Sequence, residues 1–218
     1  MADARDQKES VRLTTERLIL RIPVVTDASA AAALLTDPEV MRFVGGEAVP
    51  AQDVRAVVDK WIERWSANGV GQFVVERRED RTFLGRVGIA VWDERTRAHA
   101  TFASAGSYAQ PELGWALIRE HWGRGYATEA ARVVRDWALR TRDFRRLISL
   151  ISADNLASAA VARRLGAVPT STVKLLDSGD GVWEYPNAHD PSSDLAQATW
   201  TGDRACPAHA PAARDKGW

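Results

Sequence analysis

The sequence predicts an α+β fold: a mixed, mostly antiparallel central sheet of about seven strands flanked by about four helices. Three observations predict it. The apolar spacing switches along the chain between a period of two and a period near 3.6. The element order reads β-α-α-β-β-β-α-β-α-β-β, which mixes hairpins with strand–helix–strand crossovers and does not repeat one βα unit. The chain has 218 residues, 45% apolar and 27% charged, enough for one domain with its own core.

Residues 1–10 are charged and polar, and are expected to fray. They hold no apolar stretch of the secretory-signal kind, so the expected location is the cytoplasm. The folded domain is expected over 11–187. It opens with a strand at 18–22, Leu-Ile-Leu-Arg-Ile. An alanine-rich helix follows over 28–35, with Thr26 or Asp27 as its cap, and Asp37-Pro38 stops it. The second helix is marked by Val54, Val57, Val58, Trp61, Ile62 and Trp65, which fall at i, i+3, i+4, i+7, i+8 and i+11 on one face. Pro50 and Gly69 punctuate it.

The period then changes. Residues 72–76 and 83–92 read as an antiparallel hairpin about the charged turn 78–81. Residues 94–110 read as irregular, and 112–117 as a strand. Gly123-Arg124-Gly125 leads into a third helix carrying Ala127, Ala130, Ala131, Val134, Trp137 and Ala138. Residues 147–152 form a strand, and 155–165 a fourth helix ended by Gly166. A last hairpin joins 168–176 to 182–185. Residues 188–218 are rich in alanine and proline with no periodic apolar segment, and read as a mostly irregular, mobile tail.

Composition excludes several classes of function. Twenty-nine basic residues balance 29 acidic ones, which argues against a nucleic-acid partner. Cys206 is the one cysteine, so no intrachain disulfide and no cysteine zinc cluster form. No apolar run approaches the ~18 residues of a membrane span. The four histidines, His99, His121, His189 and His209, lack ligand spacing, and no metal is expected. A monomer or homodimer is expected.

The chemistry sits in 111–131. A strand runs into a glycine-bearing turn, and the turn opens a helix. The first N–H groups of a helix lack partners and carry partial positive charge. Glycine lets an anion reach them without a Cβ in the way, and no Ser, Thr, Asp or Asn stands at the helix start to cap it. Gly-x-Gly alone fits a plain strand-to-helix turn as well as a phosphate cradle. Two familiar phosphate motifs are absent: no Gly-Lys pair exists for a P-loop, and Thr128 stands where a dinucleotide fingerprint needs its third glycine.

With these residues in view, the sequence resembles the GNAT acetyltransferases, and within them the branch that acetylates ribosomal-protein N-termini. Three segments carry the resemblance: Leu13-Thr-Thr-Glu-Arg-Leu-Ile-Leu-Arg21; Glu112-Leu-Gly-Trp-Ala-Leu117 with Trp122-Gly-Arg-Gly-Tyr-Ala-Thr-Glu-Ala130; and Asn155-Leu-Ala-Ser158 through Arg164-Leu-Gly-Ala167. The likeness in element order spans about 11–187. It implies an enzyme that moves an acetyl group from acetyl-CoA to a primary amine by direct attack, most naturally the α-amine of a protein or peptide N-terminus. The same scaffold serves small-molecule amines (antibiotics, polyamines, amino-acid derivatives), and a non-catalytic acyl-CoA sensor is the further alternative.

The resemblance also assigns roles. Backbone amides of Gly123, Arg124, Gly125, Tyr126, Ala127 and Thr128 would hold the CoA pyrophosphate, with Trp122 at a position where Gln or Arg is usual. Leu117, Ile118 and Arg119 would meet the pantetheine arm by backbone pairing, and their amides would polarise the thioester carbonyl. Asn155 would contact the pantetheine arm and Ser158 the cofactor. An attacking amine must be neutral, and Glu112 is the candidate base, directly or through a water. Alternation puts Glu112 and Gly114 on one side of their strand and Leu113 and Trp115 on the other. Many relatives carry a tyrosine that protonates the departing thiolate, but Ala162 stands there, so the proton comes from Ser158, from water, or from no dedicated acid. Acceptor choice is expected to lie in the first two helices and the last hairpin.

Overall fold

A computed structural model describes residues 11–45, 47–142, 144, 146–174 and 179–186. The expected N-terminal segment 1–10 and tail 188–218 lie outside these residues. The strands are β1 (Arg12–Thr14), β2 (Leu18–Arg21), β3 (Gln72–Arg77), β4 (Phe83–Asp93), β5 (Ala98–His99), β6 (Ala109–Leu117), β7 (Ile148–Ser152), β8 (Val168–Lys174) and β9 (Gly179–Glu184). The helices are α1 (Ala28–Leu35), α2 (Pro38–Met41), α3 (Val54–Asn68), α4 (Phe102–Ala105), α5 (Tyr126–Thr141) and α6 (Leu156–Arg164). The strands form one sheet of nine in the order β1-β2-β3-β4-β6-β7-β9-β8, with β5 paired to β4 off this path. Every pairing is antiparallel except β6 with β7.

The sheet packs a layer on each face. Even-numbered β6 residues turn to α1, α2 and α3, where Ala116 joins Leu34, Met41, Val57, Val58 and Trp61 in one buried cluster. Odd-numbered Leu113 and Leu117 turn to the other face, against Ala130, Val134 and Trp137 of α5. The spacing that predicted α3 holds: Val54, Val57, Val58, Trp61 and Trp65 are its buried residues, and Gly69 ends it at φ 63°. A left-handed C-terminal residue costs glycine least. The Trp65 indole donates to Gln72 O (2.8 Å), which ties the helix to the first residue of β3.

Several expectations need correction. Asp27 does not cap α1. It is buried, and accepts from Val24 N (2.7 Å) and both terminal nitrogens of Arg21 (2.6 and 2.8 Å). A carboxylate removed from water takes a guanidinium and an amide in preference to one helix amide. The segment expected to be irregular, 94–110, holds β5, α4 and the start of β6. The two additional helices, α2 and α4, are single turns capped by Asp37 and Thr101, too short for apolar periodicity to reveal. β9 starts at Gly179, earlier than expected, and inserts between β7 and β8.

Gly88 and Gly114 face each other in the β4–β6 register, but their surroundings differ. A Cβ on Gly88 would stand 2.1 Å from Gly71 O, whereas nothing lies within 4 Å of the Cβ position on Gly114. We expect Gly88→Ala to cost about 1–3 kcal/mol in urea unfolding, and Gly114→Ala to stay within about 0.5 kcal/mol of the parent.

Candidate active site

The site begins with backbone left over by the sheet. Ile118 N donates to Leu84 O (2.9 Å), so in the antiparallel ladder the even-numbered residues of β6 bond to β4. The amides of Leu113, Trp115 and Leu117 therefore point the other way, toward β7. β7 meets β6 in register at one pair, Glu112 with Ile148. Pro111 has no N–H to extend that ladder. The Leu113 carbonyl is taken by the Ser149 hydroxyl (2.5 Å), which in turn accepts from the buried Tyr185 phenol (2.8 Å). Burial pushes that phenol above its usual pKa. Past this pin the two strands part, and the amides of Trp115 and Leu117 line the gap with no strand partner among the described residues.

At the end of the gap stands the helix turn. Gly123 and Gly125 both adopt positive φ, 72° and 80°, and an alternation of this kind directs successive amides into one concavity. Gly125 is the N-terminal cap of α5, and no side chain caps the helix. The first intrahelical donor is Glu129 N, to Gly125 O (3.1 Å), so the amides of Tyr126, Ala127 and Thr128 are spare. The Trp122 indole pins the turn by donating to Leu117 O (2.7 Å). Glu129, the one acid of the first turn, is spent elsewhere. It accepts from Thr15 Oγ1 (2.5 Å), Arg17 N (3.1 Å) and Arg17 Nε (2.7 Å). That clamp fastens the β1–β2 turn to α5, and Arg17 lies 4.7 Å over the Tyr126 ring.

A cleft of about 2220 Å³ runs past all these groups and through the gap to the other face of the sheet. On the α3 side its floor carries Glu112, whose Oε2 accepts from the Trp92 indole. Arg64 and Arg86 line the same half. Burial pulls the Arg86 guanidinium down to about 10, with Glu112 opposing the shift. Burial also lowers Arg64, again against Glu112. On the α6 side, Ser158 Oγ accepts from the Trp115 indole (3.2 Å), which leaves the hydroxyl proton free to be donated. Ser158 N is held by Asn155 Oδ1 (3.0 Å), the cap of α6.

Of the residues singled out from sequence, Glu112, Leu117, Gly123, Gly125, Tyr126, Ala127, Thr128, Asn155 and Ser158 line this one cleft. Arg124, Ile118 and Arg119 do not. Ile118 N is bonded to Leu84, its carbonyl accepts from His121 N (2.9 Å), and the exposed Arg119 pairs with Asp37 (3.0 Å). The strand-like groups fall instead on Trp115 and Leu117, because the ladder's parity turns Ile118 toward β4. His121 lines the cleft, and burial lowers its pKa, with Arg124 and Arg77 adding to the effect. Sequence reading missed the Glu129 clamp, the Ser149–Tyr185 pin, and Arg64 with Arg86. A basic residue alternating onto the face of Glu112 was the one signal for Arg86. Among the described residues the last hairpin contributes nothing to the cleft walls, and on the α3 side these come from the α1–α3 region and residues 95–99.

Residues 17–168 match the family described as the acetyltransferase (GNAT) domain. The Bacillus subtilis protein YkkB is 30% identical over 175 residues, 79% of this chain and 94% of its own. An acetyltransferase from Agrobacterium tumefaciens superposes with a TM-score of 0.66 at 31% identity, covering 81% of this chain and 94% of that one. RimL, a ribosomal L7/L12 α-N-protein acetyltransferase in complex with coenzyme A, shares the fold at 17% identity with a TM-score of 0.62, covering 80% and 96%.

The clamp has a pH signature. Burial opposes ionisation of Glu129, but the hydrogen bonds from Thr15 and Arg17 outweigh it and hold the carboxyl below its ordinary value of 4.5. A depressed carboxylate contributes stability that is present above its unfolded pKa and lost as pH falls through the folded one. We expect Glu129→Gln to cost on the order of 1 kcal/mol near neutrality. Urea unfolding of parent and variant should converge progressively below about pH 4.5.

Proposed function

The chain belongs to the GNAT acetyltransferase family, and from that premise we propose that this N-acetyltransferase transfers the acetyl group of acetyl-CoA to the N-terminal α-amine of a protein or peptide, by direct attack in a ternary complex. The observation that carries the reading is the continuity of one cleft. It joins an uncapped helix start, an open strand edge and a carboxylate on the opposite face of the sheet.

In this reading the pyrophosphate takes the place of the missing cap, on the spare amides at Gly123 to Thr128. The glycines leave the backbone bare where the phosphates approach. The pantetheine arm lies in the gap as a substitute strand, against Trp115 and Leu117, near Asn155. The Leu117 amide faces the thioester carbonyl and stabilises the oxyanion that forms on attack.

On the other face, the acceptor nitrogen loses a proton to Glu112, directly or through a water, as the new C–N bond forms. The C–S bond then breaks, and the thiolate takes its proton from Ser158 or from water. No covalent enzyme intermediate is needed. An α-amine, with a pKa of roughly 7.7–8.0, is partly neutral already, whereas a lysine near 10.4 must overcome more than two units, or ~3 kcal/mol. One carboxylate supplies help of the smaller size, which favours the α-amine.

The test is titration of acetyl-CoA by calorimetry, followed by a peptide-acceptor screen that reads released thiol. We expect Glu112→Gln to bind acetyl-CoA as the parent does while its turnover falls by about 10²–10³. Gly123→Asp is expected to do the reverse. Aspartate adopts the positive φ at modest cost but sets a negative charge in the cradle, so acetyl-CoA affinity should fall by about tenfold or more while the thermal midpoint drops by no more than a few degrees. Equal turnover in Glu112→Gln would remove that residue from the mechanism.

A further inference from the structure

The acceptor half of the cleft contains a cation that catalysis does not use. Arg86 stands opposite Ala116 in the β4–β6 register and shares the face of Gly114 and Glu112. Between Arg86 and Glu112 the floor is bare, with nothing within 4 Å of the Cβ position on Gly114. Among the described residues the guanidinium makes one hydrogen bond, Nη1 to Gln72 Oε1 (2.8 Å), to a neutral amide. It lies 5.9 Å from the Trp61 ring. Among the described residues it forms no ion pair. The charged groups facing it are Glu112 and Arg64.

A guanidinium has five N–H donors in a planar fork that matches a carboxylate. A charge drawn out of water with one neutral partner is costly, and a bidentate anion relieves that cost. We propose that Arg86, supported by the second positive charge of Arg64, binds a carboxylate carried by the acceptor, so that the favoured substrates are amines with an acidic group a few bonds from the nitrogen. The inference rests on the transferase reading of the cleft and sharpens its acceptor half. It places the acceptor's amine at Glu112 and its carboxylate at Arg86, with the chain between them passing over Gly114. An N-terminal aspartyl or glutamyl peptide has this chemistry, and so does a free acidic amino acid.

The test reads binding as well as turnover. The protein, saturated with CoA, is titrated by calorimetry with two peptides that differ only in aspartate against asparagine at the first position. The α-amides of aspartate and asparagine, which lack the α-carboxylate, form a second pair. We expect the acidic member to bind about tenfold tighter or more. Arg86→Gln should bring that ratio to about one with CoA affinity unchanged, and Arg86→Lys should keep part of it. A parent ratio near one overturns the proposal, as does a ratio that survives in Arg86→Gln. If Arg86→Gln does not fold, Arg64→Gln is expected to lower the ratio, and an undiminished ratio there counts against the proposal. Should aspartate α-amide show the preference and peptides not bind, the peptide-acceptor reading fails while the carboxylate site stands. Should the acidic peptide bind but never be acetylated, the transfer reading fails and the site again stands.

Discussion

Two neighbouring parallel strands that meet at one register pair and then separate leave backbone amides without partners inside a protein. A folded chain tolerates such orphans only where something else satisfies them. Here β6 parts from β7 immediately after Glu112 and Ile148, with Pro111 unable to donate and Ser149 taking the Leu113 carbonyl. Just beyond, α5 begins with three spare amides and no capping side chain. The two deficits lie end to end along one cleft, one suited to an extended chain with amides of its own and the other to an anion. A pantetheine arm and its pyrophosphate have those properties in that order, and the proposed function uses the two deficits in that way.

Holding such a deficit open takes structure. The Tyr185–Ser149–Leu113 relay fixes where the strands part, and the Trp122 indole fixes the turn that follows. The Glu129 clamp neutralises the acid of the helix's first turn, which would otherwise repel an anion from the helix start. The same residue ties β1 and β2 to α5, so the fold's first hairpin and its anion cradle depend on one carboxylate. The cradle's charge complement and part of its mechanical support therefore come from the same carboxylate.

The sheet also divides the chemistry. Period-two alternation sends Glu112 to the α3 face and Trp115, which holds Ser158, to the α6 face. In the proposed mechanism Glu112 on the strand and Ser158 on α6 thus approach a bond in the gap from opposite sides, as removal of one proton and delivery of another require. The cations Arg64 and Arg86 line the cleft on the side of Glu112.

Local pattern carried a good part of this in the linear chain. The face of α3, the β3–β4 hairpin, the uncapped glycine turn before Tyr126 and the alternation around Glu112 follow from nearest-neighbour geometry, since helix and strand periods and glycine's conformational freedom act within a few residues. What needed the folded chain is long-range. Asp27 abandoned its helix for Arg21, Ile118 turned its amide to Leu84, and β9 slid between β7 and β8. Glu129 found Thr15 across more than a hundred residues of chain. Burial decides these cases. A polar group in water is indifferent to distant residues, but once buried it must take whichever partner the packing brings to it, and no spacing along the chain records which one that is.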